Sequence, residues 1–414
     1  MQTNWKIGSL FGIPLFLDPL WFVILGLATL NFGVAYQEWG PVIAWSAGIV
    51  MALLLFGSVL LHELGHSLVA RSQGIKVNSI TLFMFGGIAA IEEESKTPFK
   101  AFQVAIAGPL VSIGLFFLLR LGATVIPDTS PLGVMVGDLA RINLVVALFN
   151  MIPGLPLDGG QVLKSALWQI TGNRFQAVHW AAKAGQILGY SAIALGFVVD
   201  FVTKELVLGL WIALLGWFAV RNANSYDNVT TLQESLLKVA AADAMTRDFR
   251  VIDADQTLRS FADLYLLENS PSQVYFAASD GRYRGLVSID DFRLTQRSEW
   301  ETQTLHSIVH PLTEIPTVTE ATSIAEVINK LENEQLPRIT VLSPAGAVAG
   351  VIDRGDIVRA LAQKLNLRIT DAEIKRIKEE ASYPPGLQLG VIAKSITEIK
   401  AESPSAFSLG SVKN

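Results

Sequence analysis

The sequence contains no cysteine. That excludes disulfides, a cysteine-ligated metal and a thiol nucleophile. Charge is scarce in its first half. Residues 1–225 carry 12 Lys/Arg and 11 Asp/Glu, against 20 and 26 in residues 226–414, so the net charge of −5 divides into +1 and −6. There is no basic cluster, and a nucleic-acid partner is not expected. A cleavable leader is not expected either. The first apolar stretch, 16–36, is too long for a signal core and lacks a basic lead and a small-residue cleavage site, so it reads as a retained span.

What the first half does have is long apolar runs. A membrane helix needs roughly 20 mostly apolar residues. The runs 16–36, 42–70, 103–126, 138–155, 186–203 and 206–220 meet or approach that, giving about six spans. Asn143 and Asn150 in the fourth place it inside a bundle rather than against lipid. Six spans put both ends on one side. The second half has no export signal, so both termini are expected in the cytoplasm. The basic residues agree: Lys6, Arg71, Lys76, Lys96, Lys100, Lys164, Arg174, Lys183 and Arg221 fall on inward segments, while Arg120 and Lys204 fall outside. Arg141, near the outer start of the fourth span, goes against the pattern.

Inside the second run stands Leu61-His62-Glu63-Leu64-Gly65-His66. On a helix His62 and His66 share one face, about a turn apart. Two imidazoles so placed can hold one zinc ion and leave Glu63 to work as base on a water at the metal. H-E-x-x-H also occurs by chance in soluble helices. At membrane depth, however, an idle glutamate costs roughly 2.5–3.5 kcal/mol on insertion scales. Two of the chain's 5 histidines lie in this motif. A catalytic zinc usually has a third protein ligand. The candidate is Asp158, in the stretch 149–160. Pro153, Pro156, Gly159 and Gly160 there would break or end a helix, and irregular backbone at membrane depth must line a cavity or be buried in protein. The same residues also fit a simple loop aspartate at the inner interface.

Taken together, these motifs resemble the site-2 protease family of intramembrane metalloproteases. His62-Glu63-Leu64-Gly65-His66 matches its H-E-x-x-H. Asn150-x-x-Pro153 followed by Leu157-Asp158-Gly159 matches its N-x-x-P and L-D-G motifs on a separate segment. Phe85-Gly86-Gly87, and Ala107-Gly108-Pro109 opening the third span, also look like family features. The resemblance covers most of 5–225. It implies one zinc ion held by His62, His66 and Asp158, Glu63 as catalytic base, and Asn150 as a polar group near the substrate or the transition-state oxygen. It implies that 80–91 is a membrane-associated β element whose edge could pair with an unwound substrate. Two positions depart from the pattern. Gln161 stands where many relatives have a basic residue, and Ser112 replaces a common Asn. Neither is expected to touch the metal. Single-span membrane proteins, anti-sigma factors among them, are the substrates the resemblance suggests.

The second half repeats one pattern over 239–297 and 305–365. In each copy a short opening segment is followed by an extended stretch, an amphipathic helix (258–267 and 324–331), two strands about a turn, and a final helix entered through Ser288-Ile-Asp-Asp291 or Asp353-Arg-Gly-Asp356. This resembles a tandem CBS-domain pair, which implies a possible site for ATP or AMP, with Asp291 and Asp356 against ribose, and a possible homodimer. Asp353, where Thr or Ser is usual, puts phosphate binding by the second copy in doubt. Assembly or contact with the membrane core is the alternative role. His306 and His310 read as surface residues, and His179 as structural.

The expected fold is therefore a polytopic α-helical membrane domain followed by a soluble α/β tandem CBS pair. Its parts are a metalloprotease core over 1–225, a linker over 226–238, CBS copies over 239–297 and 305–365, and a partly disordered tail over 366–414. The expected activity is zinc-dependent hydrolysis of peptide bonds within membrane segments, regulated by adenine nucleotide. A CBS-regulated metal or ion transporter is the competing function. It should show intramembrane carboxylates recurring along a pathway and an internal repeat among the spans. Few such carboxylates, and no repeat, are visible.

Overall fold

The structure is a computed structural model, and it describes residues 4–84, 86–127, 129–266, 274–384 and 387–402. Phe85 lies outside them. The described chain forms two compact units, the first built mainly from residues up to Thr230 and the second from Thr231–Glu398.

In the first unit, two short strands, β1 (Trp5–Leu10) and β2 (Ile13–Leu17), precede α1 (Leu20–Ala35). Then follow α2 (Pro41–Ser72), β3 (Val77–Phe83), β4 (Gly86–Ile91), α3 (Pro98–Ala123), α4 (Pro131–Asn150), α5 (Asp158–Thr171), α6 (Arg174–Thr203) and α7 (Leu206–Lys238). Local chemistry sets these starts. Pro41, Pro98 and Pro131 each occupy the first turn, where a missing N–H costs nothing. Thr97, Ser130 and Asn173 accept the free backbone N–H of Lys100, Gly133 and Gln176.

Five helices, α2, α3, α4, α6 and α7, are long and apolar enough to cross a membrane. α1 has 16 residues and rises roughly 24 Å, short of the roughly 30 Å hydrocarbon core. Large apolar side chains such as Val42, Phe117, Leu121, Phe201 and Val207 point outward from these helices. An apolar surface of that extent belongs against lipid rather than water. The chain is a multi-pass membrane protein. Asn143 is buried within the bundle, donating to Ser58 Oγ at 3.0 Å and to the Leu139 carbonyl.

Several boundaries differ from the sequence expectation. Residues 16 and 17 belong to β2, so the first span is shorter. α4 begins at Pro131, α6 at Arg174, and α7 runs on to Lys238. Ala107-Gly108-Pro109 does not open a helix but sits in the middle of α3. Gly159 and Gly160 do not end one either, because they lie in the first turn of α5.

The four strands form one sheet in chain order, with β2 and β3 parallel and the other neighbours antiparallel. Its inner face packs Ile13, Leu15, Val77 and Ile80 against Leu64 and Ala70 of α2. A fully buried isoleucine contributes about 1.5–3 kcal/mol relative to exposure, so this face seats the sheet firmly on the helix that carries the histidine motif. β4 is an edge strand.

The second unit opens with α8 (Ala241–Ala244), then repeats a strand–helix–strand–strand–helix order. The first copy is β5 (Phe249–Asp253), α9 (Leu258–Phe261), β6 (Val274–Ser279), β7 (Arg282–Val287) and α10 (Ile289–Leu294). β8 (Val309–Pro311) joins its sheet. The second copy is β9 (Thr317–Thr319), α11 (Ile324–Asn333), β10 (Arg338–Leu342), β11 (Val348–Asp353) and α12 (Arg354–Lys364). In each copy the first strand runs parallel to the second and the second antiparallel to the third. The first copy's helix is shorter than expected. It passes after Phe261 into a π-turn through Leu266, and Leu267 lies outside the described residues. The tail forms α13 (Asp371–Glu380) and α14 (Leu389–Glu402). The second of these was not expected. It buries Leu389, Ala393 and Ile396, and Asn329 of α11 donates to Thr397 Oγ1 at 2.8 Å. Residues 403–414, where disorder is expected, lie outside the described residues.

Candidate metal centre

On α2 the imidazoles of His62 and His66 lie on one buried face with their Nε2 atoms 3.3 Å apart. Asp158, the first residue of α5, sends Oδ2 to 3.0 Å from His62 Nε2 and 3.3 Å from His66 Nε2. These are the three candidate ligands, and their donor atoms converge on one point. Zinc bonds of about 2.0–2.1 Å in a tetrahedron put ligand atoms about 3.3 Å from one another. The separations and the chemistry of the set, two neutral nitrogens and one anionic oxygen, both fit zinc.

The orientation of the two rings comes from α3. His66 Nδ1 lies 2.7 Å from the Val104 carbonyl, and His62 Nδ1 3.0 Å from Ser112 Oγ. A ring whose Nδ1 carries the hydrogen must present a lone pair at Nε2, so these contacts turn Nε2 of each ring toward the shared point. Between Val104 and Ser112, on the same stripe of α3, stands Gly108. A Cβ there would lie 2.2 Å from His66 Nε2 and 2.6 Å from His62 Nε2. α3 thus offers an oxygen at each end of the stripe and bare backbone in the middle. Sequence reasoning named Gly108 and Ser112 but assigned neither a part in the site. An imidazole's outer partner lies on another helix, and one sequence does not reveal helix pairing.

Glu63 follows His62 and, with the three candidate ligands, lines a cavity of about 790 Å³. It packs under β4: a Cβ on Gly87 would come within 2.4 Å of Glu63 Cγ. The cavity is also lined by Asn150 at the end of α4, by Ile88, Ala89 and Ile91 of the β4 edge, and by Phe218 and Tyr226 of α7. Every residue expected in the metal chemistry therefore borders one space.

Asp291 and Asp356 lie apart from this in the second unit, at the starts of α10 and α12. They are in different surroundings. The Asp291 side chain is 44% exposed and bonded to His310 Nε2 at 2.6 Å, which holds its carboxyl below the usual range. That of Asp356 is 1% exposed, and burial raises its pKa. Lys378 of α13 reaches it at 2.7 Å and Asp353 at 3.1 Å. His306 meets Asp255 on the surface, and His179 of α6 meets Asp227 of α7 at 2.5 Å.

The stretches that carry these residues match known families. Residues 50–132 and 125–193 match the model of Peptidase family M50, and 307–363 that of the CBS domain. The chain is 41% identical over 366 residues to "Putative zinc metalloprotease sll0528" of Synechocystis sp., covering 87% of this chain and 96% of that one. It is 32% identical over 345 residues to "Putative zinc metalloprotease Rip3" of Mycobacterium tuberculosis, covering 83% and 87%. Among solved structures it is similar to the site-2 protease from Methanocaldococcus jannaschii. That match has 26% identity and a TM-score of 0.40, and covers 54% of this chain and 95% of the other.

Proposed function

Because the chain belongs to peptidase family M50, the site-2 protease family of zinc metalloproteases, we propose that it hydrolyses peptide bonds inside the transmembrane segments of single-span membrane proteins. One observation carries this reading: the three metal-binding atoms, Glu63, Asn150 and a free strand edge all border one cavity in a membrane-spanning unit.

His62, His66 and Asp158 would hold the zinc. When bound, zinc supplies the positive charge that makes water a nucleophile near neutral pH and polarises a carbonyl. Glu63, bound to nothing in the ligand set, takes the proton from the attacking water and returns it to the leaving nitrogen. The Asn150 amide donates to the carbonyl oxygen as negative charge builds on it. A helical substrate hides its carbonyls in i to i−4 bonds, so it must unwind first. The open edge of β4 receives the unwound segment as an added strand. Both termini face the cytoplasm in this reading, which takes α1 as a sixth, shorter crossing. In the test, purified protein is incubated in detergent with a panel of single-span substrates. Cleavage within the span, stopped by a chelator and restored by zinc, is the expected result. Unchanged cleavage by metal-stripped protein would overturn the assignment.

Ser112→Ala should lower zinc affinity about 10–100-fold, the usual cost of losing an outer partner of a ligating histidine. Competition with a chromophoric chelator measures it, and wild-type affinity would show that Ser112 does not orient His62.

We further propose that the CBS pair binds adenine nucleotide at the Asp291 copy. Lys378 occupies the corresponding carboxylates of the other copy, and a ribose would have to displace it. Calorimetry should give one AMP or ATP per chain in the wild type and two in Lys378→Ala. Asp291→Ala should remove the single wild-type site. Equal stoichiometry in wild type and Lys378→Ala would sink the blocking role.

A further inference from the structure

A second charged cluster borders the cavity where β4 leaves the metal centre. Glu94 Oε2 accepts from Arg174 Nη2 at 2.8 Å and from Lys164 Nζ at 3.2 Å. Lys164 is on α5, the helix that Asp158 opens, and Arg174 is the first residue of α6. Both cations are buried, their side chains 7% and 6% exposed. Arg174 Nε and Nη1 have no other hydrogen-bond partner among the described residues. Two buried cations therefore share one carboxylate, and the charges of Arg174 and then Lys164 hold Glu94 well below the usual carboxylate range. Buried cations are retained only where they are paired. Surface solubility does not explain them, because both side chains are almost wholly buried, while the Glu94 side chain that pairs with them is 46% exposed.

The cluster's position suggests its use. β4 is held at its start by Gly87 lying against Glu63. Along its length, among the described residues, only β3 pairs with it. Past its end, Glu94 ties the chain to α5 and α6. Among the described residues no backbone ladder joins the strand that borders the cavity to the helix that supplies Asp158. The Glu94 carboxylate joins them.

We propose that Glu94 is a positioning residue for proteolysis: bound to Lys164 and Arg174, it fixes β4 relative to α5 and so sets the gap between the substrate-receiving edge and the metal-binding aspartate. This rests on the strand-addition reading above. A misplaced catalytic partner costs rate steeply, since reacting atoms must be held at near-contact distance. Glu94 is not one of the three metal-ligand candidates, so its loss should weaken substrate engagement and leave metal binding intact.

The test uses full-length protein, a cleaved single-span substrate and three variants. Glu94→Ala removes the bridge but leaves two buried positive charges; glutamine would not serve, because its amide oxygen could still accept from both cations. Glu94→Ala with Lys164→Met also removes the bridge, but returns the cluster to its original net charge. Glu94→Asp keeps the carboxylate. Both bridge-less variants are expected to lose at least tenfold in kcat/KM, mainly through KM, with one zinc per chain retained. Glu94→Asp should recover part of the loss. If the double variant restores wild-type kcat/KM, Glu94 only neutralises charge and the proposal fails. It fails too if Glu94→Ala keeps the wild-type KM, or if either bridge-less variant loses its zinc. Should Glu94→Ala not fold, the charge-balanced double variant decides.

A second readout does not depend on turnover. The chain has no cysteine, so Ile88→Cys on β4 can be cross-linked to a single cysteine in the substrate, in a Glu63→Gln background that leaves the substrate whole. Cross-linking should fall several-fold when Glu94→Ala is added, and an unchanged yield would overturn the proposal. Cleavage by wild type, and its loss in Glu63→Gln alone, separately establishes whether the proteolytic reading holds.

Discussion

Glu63→Gln is expected to reduce cleavage of a membrane-embedded substrate by about 10²–10⁴-fold, to the limit of detection, while one zinc per chain stays bound. The substitution changes little in shape. Glutamine fills the same volume beneath Gly87, where the fit is closest. It also leaves His62, His66 and Asp158 untouched, so the donor set keeps its 3.0–3.3 Å separations. What it removes is the ability to accept a proton from water and pass it on. Zinc content and turnover, measured on the same preparation, should therefore separate: unchanged metal and no product. Loss of metal with the activity would mean that Glu63 helps to hold the ion. Cleavage within about tenfold of wild type would mean that another group acts as base.

The residues of the candidate site were legible because chemistry restricts residue type. A glutamate and two histidines in an apolar run are costly, and the spacing of His62 and His66 fixes their common face without knowledge of any partner. Asp158 was legible only by elimination and resemblance, since spacing equally allowed a loop at the interface. The structure brings it to the imidazoles by opening α5 with it. Span ends were less legible. Hydropathy follows the side chains that face lipid, whereas a helix ends where its backbone hydrogen bonds end. α6 therefore begins at the Asn173 cap, well before its apolar stretch. The strands β1 and β2 were hidden for a related reason: Ile13, Leu15 and Leu17 alternate inward toward α2 and the neighbouring core, but they merge with the apolar residues of α1. The Glu94 cluster could not be read at all. Glu94 stands 70 residues before Lys164 and 80 before Arg174, and nothing local to Lys164 or Arg174 announces burial.

Gly108 is the position where sequence and structure differ most in apparent weight, and Gly108→Ala should show it. In sequence the change adds one methyl group to an apolar helix and raises its helix propensity. In the structure that methyl would lie 2.2 Å and 2.6 Å from the two ligating nitrogens. Both rings are held on their far sides, at 2.7 Å by the Val104 carbonyl and at 3.0 Å by Ser112. Those partners stand on the same helix as the intruding methyl. Backing α3 away to make room would stretch both contacts, and keeping α3 in place forces at least one ring off the shared point. Either way the site gives up a ligand. Apparent binding energies of zinc sites with four ligands reach about 10–16 kcal/mol, so one ligand's share, roughly 3–4 kcal/mol, is a loss of about 10²–10³ in affinity. The expected outcome is a folded membrane protein with weak zinc binding and no cleavage, more severely affected than Ser112→Ala. Excess zinc should restore occupancy before activity, because a displaced imidazole leaves the ion off its position even when it is bound. Tight zinc binding and wild-type cleavage by Gly108→Ala would show that the two helices do not approach this closely in the working enzyme.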